Sequence, residues 1–318
     1  MKAFTLQQTG GTEKFQLEEV PVPDIKANEV LIQTKAIGIN HIDTFIRKRP
    51  ELLPVFLHPE PGQDKFISGW DISGVVTATG ADVKQFKKGD EVFGLVNFKG
   101  QGKTYAEYVA APADQLAPKP AGTSHEEAAG ATLAALTAWQ SLVHVAKLKK
   151  GEKVLIHAAG GGVGHYAVQI AKALGAYVVA NVSTSKIDFV KELGADEVID
   201  HTKEKFEEKL NDADVVLDPI PGDHVLRSMD ALKKGGRLVA LMSFLNEPAV
   251  VEKIKKTGVV ALRHDVASNG EDMQQIARLM AEGKLRSHIA ARFALADLPQ
   301  AHQAVEAGHN KGKIVVTI

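Results

Sequence analysis

The sequence predicts an α/β protein that combines a doubly wound parallel sheet of six strands with a separate β-rich domain. Three observations carry that expectation. First, a glycine-rich turn, Ala158-Ala159-Gly160-Gly161-Gly162-Val163-Gly164, lies between a short apolar strand and a helix. Second, residues 123 to 263 alternate helix and strand, whereas residues 1 to 122 read as short strands broken by glycine and proline. Third, a last strand, Lys313-Ile314-Val315-Val316, follows two further helical stretches and most simply rejoins the first sheet. The β-rich domain then comprises 1–122 and 264–318, split around a domain at 123–263.

The glycine turn organises the second domain. Val154-Leu155-Ile156 leads into it, and Val163, Ala167, Ile170, Ala171 and Leu174 then recur on one face of an amphipathic helix. Gly175 stands where a left-handed cap is expected, and Tyr177 to Val182 form the next strand. Strand, glycines, helix and strand in this order suit a dinucleotide: backbone approaches the pyrophosphate closely and helix N–H groups face the anion. Ala159, Gly160, Gly161, Gly162, Val163 and Gly164 are the expected contacts. Further strands follow at Glu197-Val198-Ile199, Val215-Val216-Leu217, Arg237 to Leu241 and Val259 to Leu262. In the β-rich part Val30-Leu31-Ile32, Val75-Val76-Thr77 and Glu91-Val92-Phe93 are strand candidates. The Lys-Lys-Gly triplets starting at Lys87, Lys149 and Lys233 read as turns.

Composition narrows the function classes. The 318 residues carry 38 basic and 39 acidic side chains, a net charge of −1 that gives no overall basic field for nucleic acid. No apolar run is long enough to span a bilayer, and the N-terminus lacks the apolar core of a signal peptide, so a cytoplasmic protein is expected. Cysteine is absent, which excludes disulfides, thiolate catalysis and Cys-ligated zinc. The histidines show no paired ligand spacing, and no metal is expected.

Several motifs together resemble the medium-chain dehydrogenase/reductases, over essentially the whole chain, and within them the zinc-free quinone oxidoreductases. They are AIGINHID (36–43), GWDISGVV (69–76), GDEVFG (89–94), YAEYV (105–109), LTAWQSL (136–142), HAAGGGVG (157–164), LGADEVID (193–200), GGRLVAL (235–241) and GKIVV (312–316). The stretch from Ser183 to Glu207 looks nearest to the alkenal/enone oxidoreductases. The resemblance implies a GroES-like catalytic domain, a Rossmann domain and a cleft between them. It also marks departures: Asn40 stands where zinc enzymes of the family place a catalytic Cys, and Gly69-Trp70-Asp71 where they have Gly-His-Glu.

The second strand's end points to NADPH. An NAD enzyme needs a carboxylate there for the ribose 2′-hydroxyl, and this chain has none before Asp188. Ser183 can donate to a 2′-phosphate and Lys186 can neutralise it. The resemblance adds His201 and Lys313 as cofactor contacts, with Thr137 and Ser243 near the nicotinamide or its ribose. Without zinc, hydrogen-bond donors must hold the developing oxyanion, which suits a delocalised acceptor such as a quinone or an α,β-unsaturated carbonyl. Asn40 is the expected donor, Asp43 and Thr44 its buttress, and His41 a proton donor or an aromatic spacer. Met242 and Phe244 suit either the pocket or the core, and the loop 47–65 is expected to border the substrate mouth. A homodimer through the sixth strand of the sheet is expected. The alternatives are a non-catalytic NADPH-binding protein with a structural or RNA-binding role, and a thioester enoyl reductase.

Overall fold

The computed structural model describes residues 1–318, which form two compact units: Met1–Leu136 with Ala267–Ile318, and Thr137–Val266. The first division falls within the helix Leu133–Trp139 rather than at residue 122. The reason is that the preceding helix, His125–Gly130, packs on the strands Glu29–Ile39 and Asp71–Thr79. Its Ser124 cap, with Glu127 reaching back to the Ser124 N–H, closes a capping box that starts this helix.

In the first unit the larger sheet is ordered Ile289–Ala294, Lys313–Thr317, Glu29–Ile39, Asp71–Thr79, Glu91–Leu95, Leu116–Pro118, with Tyr108–Pro112 also pairing on Glu29–Ile39. The expected three-residue strand at Val30 is in fact 11 residues long. Register shifts at Leu31/Ile32 and Thr34/Ala36 bend it. Its first half pairs with Tyr108–Pro112 and its second half with Lys313–Thr317. Two apolar clusters fill the unit along this strand. Val30 and Ile32 pack with Ile72, Val76 and Val92. Ile37 and Ile39 pack with Leu298, Ile314 and Val316. The strand therefore delivers Asn40 from a rigid base.

In the second unit six parallel strands run Glu197–Asp200, Tyr177–Val182, Lys153–His157, Ala213–Asp218, Leu232–Ala240, Val260–Arg263. Numbered along the chain within this sheet, that order is 3-2-1-4-5-6, the doubly wound arrangement with its switch point beside the first strand. Leu155, Val179, Ile199, Val216 and Leu238, one from each of five strands, share a buried cluster with Val225, Met229 and Val250 of the helices. The helix after the glycine turn, Gly164–Ala173, is less amphipathic than expected: residues 164–171 are all buried, His165 and Gln169 included. The His165 ring lies against Tyr166, 3.8 Å between centroids, and stacks toward Phe189, so a polar residue is accommodated on a packed face.

Gly89, Gly151 and Gly235 adopt φ of 95°, 82° and 75°, which makes the Lys-Lys-Gly triplets turns that need the glycine. The proline-rich stretch after Arg47 is partly helical, at Pro50–Leu52 and Leu53–Phe56, with Pro50 and Pro54 in first-turn positions.

Candidate active site

In the first unit the structure gathers Asn40, Asp43 and Lys313 with Asp71, which sequence reasoning did not select. Asn40 caps the helix His41–Lys48, and its backbone N–H donates to Asp43 Oδ2 at 2.6 Å. Its amide Nδ2 donates to Asp71 Oδ2 at 2.8 Å. The Lys313 ammonium donates to Asn40 Oδ1 and, at 3.0 Å, to the Ile39 carbonyl, with Asp71 Oδ2 3.6 Å away. Lys313 was expected to reach the cofactor. It is instead fully buried, because the last strand pairs directly beside Ile39. Room for the Asp71 carboxylate comes from Gly38, whose missing Cβ would lie 2.5 Å from Asp71 Oδ2.

Two carboxylates and one ammonium out of water are electrostatically costly. Burial pushes the Asp43 carboxyl up to about 7, aided by the nearby Asp71. Burial also raises Asp71, opposed by Lys313 and by the Asn40 amide. Lys313 is held below the usual lysine range by the same burial, against the pull of both aspartates. His41 is exposed, at the rim of a 340 Å³ depression with Thr44, Phe45, Lys48, Arg49 and Glu306. The basic run Arg47-Lys48-Arg49 finds its partners within the first unit. Arg47 is buried and pairs with Glu306, Lys48 pairs with the same carboxylate, and Arg49 stacks over Phe45.

The donor set around Asn40 does not suit zinc. A tetrahedral site requires three good ligands and an open position. Here an amide and a carboxylate are already bridged by an ammonium, and Trp70 turns its indole N–H to the Gly100 carbonyl. Elsewhere the fold brings together His157, Asp218 and His224, ligand types that the sequence spacing did not disclose. Their polar atoms are engaged among themselves and with neighbours. Ser228 bridges His157 Nε2 and Asp218, His224 Nδ1 meets Asp218, and Asn181 meets His157 Nδ1. Burial drives the His157 imidazole down to about 3, so it stays neutral in this network.

In the second unit the glycine turn lets strand end and helix start approach closely. A Cβ on Gly164 would sit 2.6 Å from the Ala159 Cα, so helix and turn can approach only with glycine there. The Gly161 N–H donates to Ala158 and the His165 N–H to Gly161, which tightens the turn and aims the helix start. The stem of Lys186 lies over Gly160, where a Cβ would meet Lys186 Cδ at 2.8 Å. Ser183 caps the short helix Thr184–Lys186, and its hydroxyl is 3.3 Å from that of Ser185. Ala159 is buried in the turn, with Gly162 and Val163 at its outer side.

One acid was missed. Asp200, at the end of the adjacent strand, pairs in register with Val182 and stands beside the strand tip. The Thr184 hydroxyl binds it at 2.5 Å, and the Thr202 hydroxyl and N–H at 2.6 and 3.0 Å. These donors hold its carboxyl well below the usual carboxylate range, with Lys203 adding charge. Its oxygens are committed to the loop. His201, next to it, is exposed and its N–H donates to the Val182 carbonyl.

Ser243 is buried, and its hydroxyl points to the carbonyls of Ile220 and Gly222 at 3.0 and 2.9 Å, fixing that loop. Its neighbours Met242 and Phe244 are exposed, which removes core packing as their explanation. Thr137 is buried in its helix.

Residues 26–121 match the Alcohol dehydrogenase GroES-like domain, and residues 193–316 match Zinc-binding dehydrogenase. The chain is 33% identical to the mitochondrial NAD(P)H oxidoreductase RTN4IP1 of Mus musculus, over all of this chain and 89% of that protein. It is 32% identical to the chloroplastic NADPH-dependent alkenal/one oxidoreductase of Arabidopsis thaliana, over 99% of this chain and 79% of the relative. The solved quinone oxidoreductase of Coxiella burnetii superposes with a TM-score of 0.90 at 34% identity, covering 100% of this chain and 99% of that one. The chain belongs to the medium-chain dehydrogenase/reductase superfamily, with quinone oxidoreductases and alkenal/enone reductases among its relatives.

Proposed function

We propose that the protein is an NADPH-dependent oxidoreductase that reduces quinones or α,β-unsaturated carbonyls without zinc. The observation that carries this reading is the pairing of a diphosphate-shaped glycine turn with a strand tip of hydroxyls and Lys186, whose nearest carboxylate, Asp200, is engaged by its own loop. The Arabidopsis relative, named for NADPH and for alkenals and enones, supports the same choice. When bound, NADPH supplies the hydride.

The chain's own residues bind, orient and stabilise. Gly160 to Gly164 take the diphosphate, while Ser183, Lys186 and His201 receive the 2′-phosphate. Thr137 and Ser243 stand by the nicotinamide end. Asn40 offers an amide N–H to the oxygen on which enolate or quinol charge develops, in place of a Lewis acid. The net proton for the product comes from water or His41. A cytoplasmic enzyme and a homodimer paired along Val260–Arg263 complete the reading. That edge strand leaves Val260 exposed, and no helix is long and apolar enough to cross a membrane.

The test follows NADPH oxidation with 1,4-benzoquinone, with an alkenal and with a simple ketone. Turnover with the first two at undiminished rate in chelator is expected. Loss of activity on chelation, or turnover of the ketone alone, contradicts the proposal, and no turnover with any acceptor favours a non-catalytic role. Size exclusion at micromolar concentration should give twice the 34.1 kDa chain mass.

A further inference from the structure

A primary amide presents two faces of similar shape, an oxygen that only accepts and a nitrogen that only donates. Which face Asn40 shows to an acceptor decides whether it can hold an oxyanion at all. A carbonyl oxygen turned outward would repel the developing charge. The helix cap does not settle the matter, since either amide orientation fits the same volume.

The charges behind Asn40 do settle it. On one side stands the Lys313 ammonium, which has donors and no acceptor, and on the other the Asp71 carboxylate. The observed orientation satisfies both, oxygen to ammonium and N–H to carboxylate at 2.8 Å. The flipped amide would set N–H against ammonium and oxygen against carboxylate, two repulsions in a buried place. The three Lys313 N–H groups are directed to Asn40 Oδ1, Ile39 O at 3.0 Å and the Asp71 carboxylate at 3.6 Å. Asp71 is fixed in turn by the Leu133 N–H at 3.1 Å and by the space that Gly38 leaves. One Asn40 N–H is spent on Asp71, and the amide edge that carries it also faces the Asp43 carboxyl.

We propose that Lys313 is a positioning residue, which acts through Asn40 by locking its amide oxygen inward, so that the N–H edge and not the oxygen is the one offered to the acceptor. This rests on the reading of Asn40 as the oxyanion donor. It replaces the expectation that Lys313 touches the cofactor.

The test is a double-mutant cycle on kcat with a quinone, using Asn40→Ala, Lys313→Met and the pair, with the NADPH dissociation constant measured beside it. Removing an oxyanion-hole donor typically costs about 100-fold in kcat, and Lys313→Met should cost about 10-fold or more. The double variant should match Asn40→Ala within about twofold, because the lysine has nothing left to orient. NADPH affinity should stay within about twofold throughout. Multiplying losses would show that Lys313 acts independently of Asn40, and a large loss of NADPH affinity would restore the cofactor contact. Wild-type kcat in Lys313→Met would end the proposal outright.

A second readout needs no turnover. In the ¹H–¹⁵N spectrum of the wild-type protein, the Asn40 side-chain amide, assigned by its loss in Asn40→Asp, should show two protons that differ in their exchange with water. One of them should be protected and shifted by the carboxylate. Two protons that both exchange freely with water and sit at ordinary shifts contradict the proposal. If this signature is found while no acceptor is reduced, the lock stands and the proposed activity falls.

Discussion

The two units carry candidate site residues built from opposite materials. In the second unit the site is mostly backbone: a glycine turn, a helix start, and a strand tip of small hydroxyl residues within about 30 positions of one another. In the first it is all side chain, a buried amide, two carboxylates and an ammonium drawn from positions 40, 43, 71 and 313. A backbone site fails when a Cβ is added, and a side-chain site fails when one charge is removed.

The largest effect should come from the glycine turn. Gly164→Ala places a Cβ against Ala159 backbone, which cannot give way, so NADPH affinity should fall about 100-fold or the unit should unfold. Gly160→Ala meets only the Lys186 side chain, which can swing aside, and should cost less than tenfold. Calorimetry on both variants checks the contrast, and equal losses would mean that the turn is not read through close backbone approach. Next in size, Lys186→Ala should weaken NADPH about 10-fold, near 1.4 kcal/mol, and leave NADH unchanged. A parallel loss for both nucleotides would assign Lys186 to the turn instead of the 2′-phosphate.

The difference between the units also explains what could be read from the sequence. Six strands and the glycine turn were legible because each rests on contiguous residues with one periodicity. The Asn40 cluster was legible only as residue types. Nothing local pairs Lys313 with Asn40, since the contact depends on the last strand returning beside Ile39. Asp200 escaped for a similar reason: its place beside Val182 is a matter of strand register. The His157–Asp218–His224 network joins the ends of two strands and a helix start, and no sequence interval announces it.

Smaller effects separate the units by pH. The buried imidazoles His157, in the second unit, and His302, in the first, are both driven to about 3 by burial, from an ordinary 6.5. Their folded values are depressed, so the unfolded chain binds more protons as pH falls below 6.5. Stability present above 6.5 is lost progressively down to about 3, by up to about 3 kcal/mol for each histidine by pH 4.5. Asp43 has the opposite sign. Its folded value of about 7 lies above the ordinary 3.8, so its contribution is full below 3.8 and is lost as pH rises to 7. Denaturant melts from pH 4.5 to 7.5 should show less proton uptake in His302→Gln and a flatter profile above pH 5 in Asp43→Asn. Profiles identical to wild type would contradict these shifts. The smallest effect is expected at exposed His41, where His41→Phe should change kcat less than threefold if water supplies the proton.

The most direct test of the account is calorimetric titration of the wild-type protein with NADPH and with NADH under one set of conditions. The account predicts that NADPH binds at least tenfold tighter. Tighter binding of NADH, or heat from neither nucleotide, would contradict it.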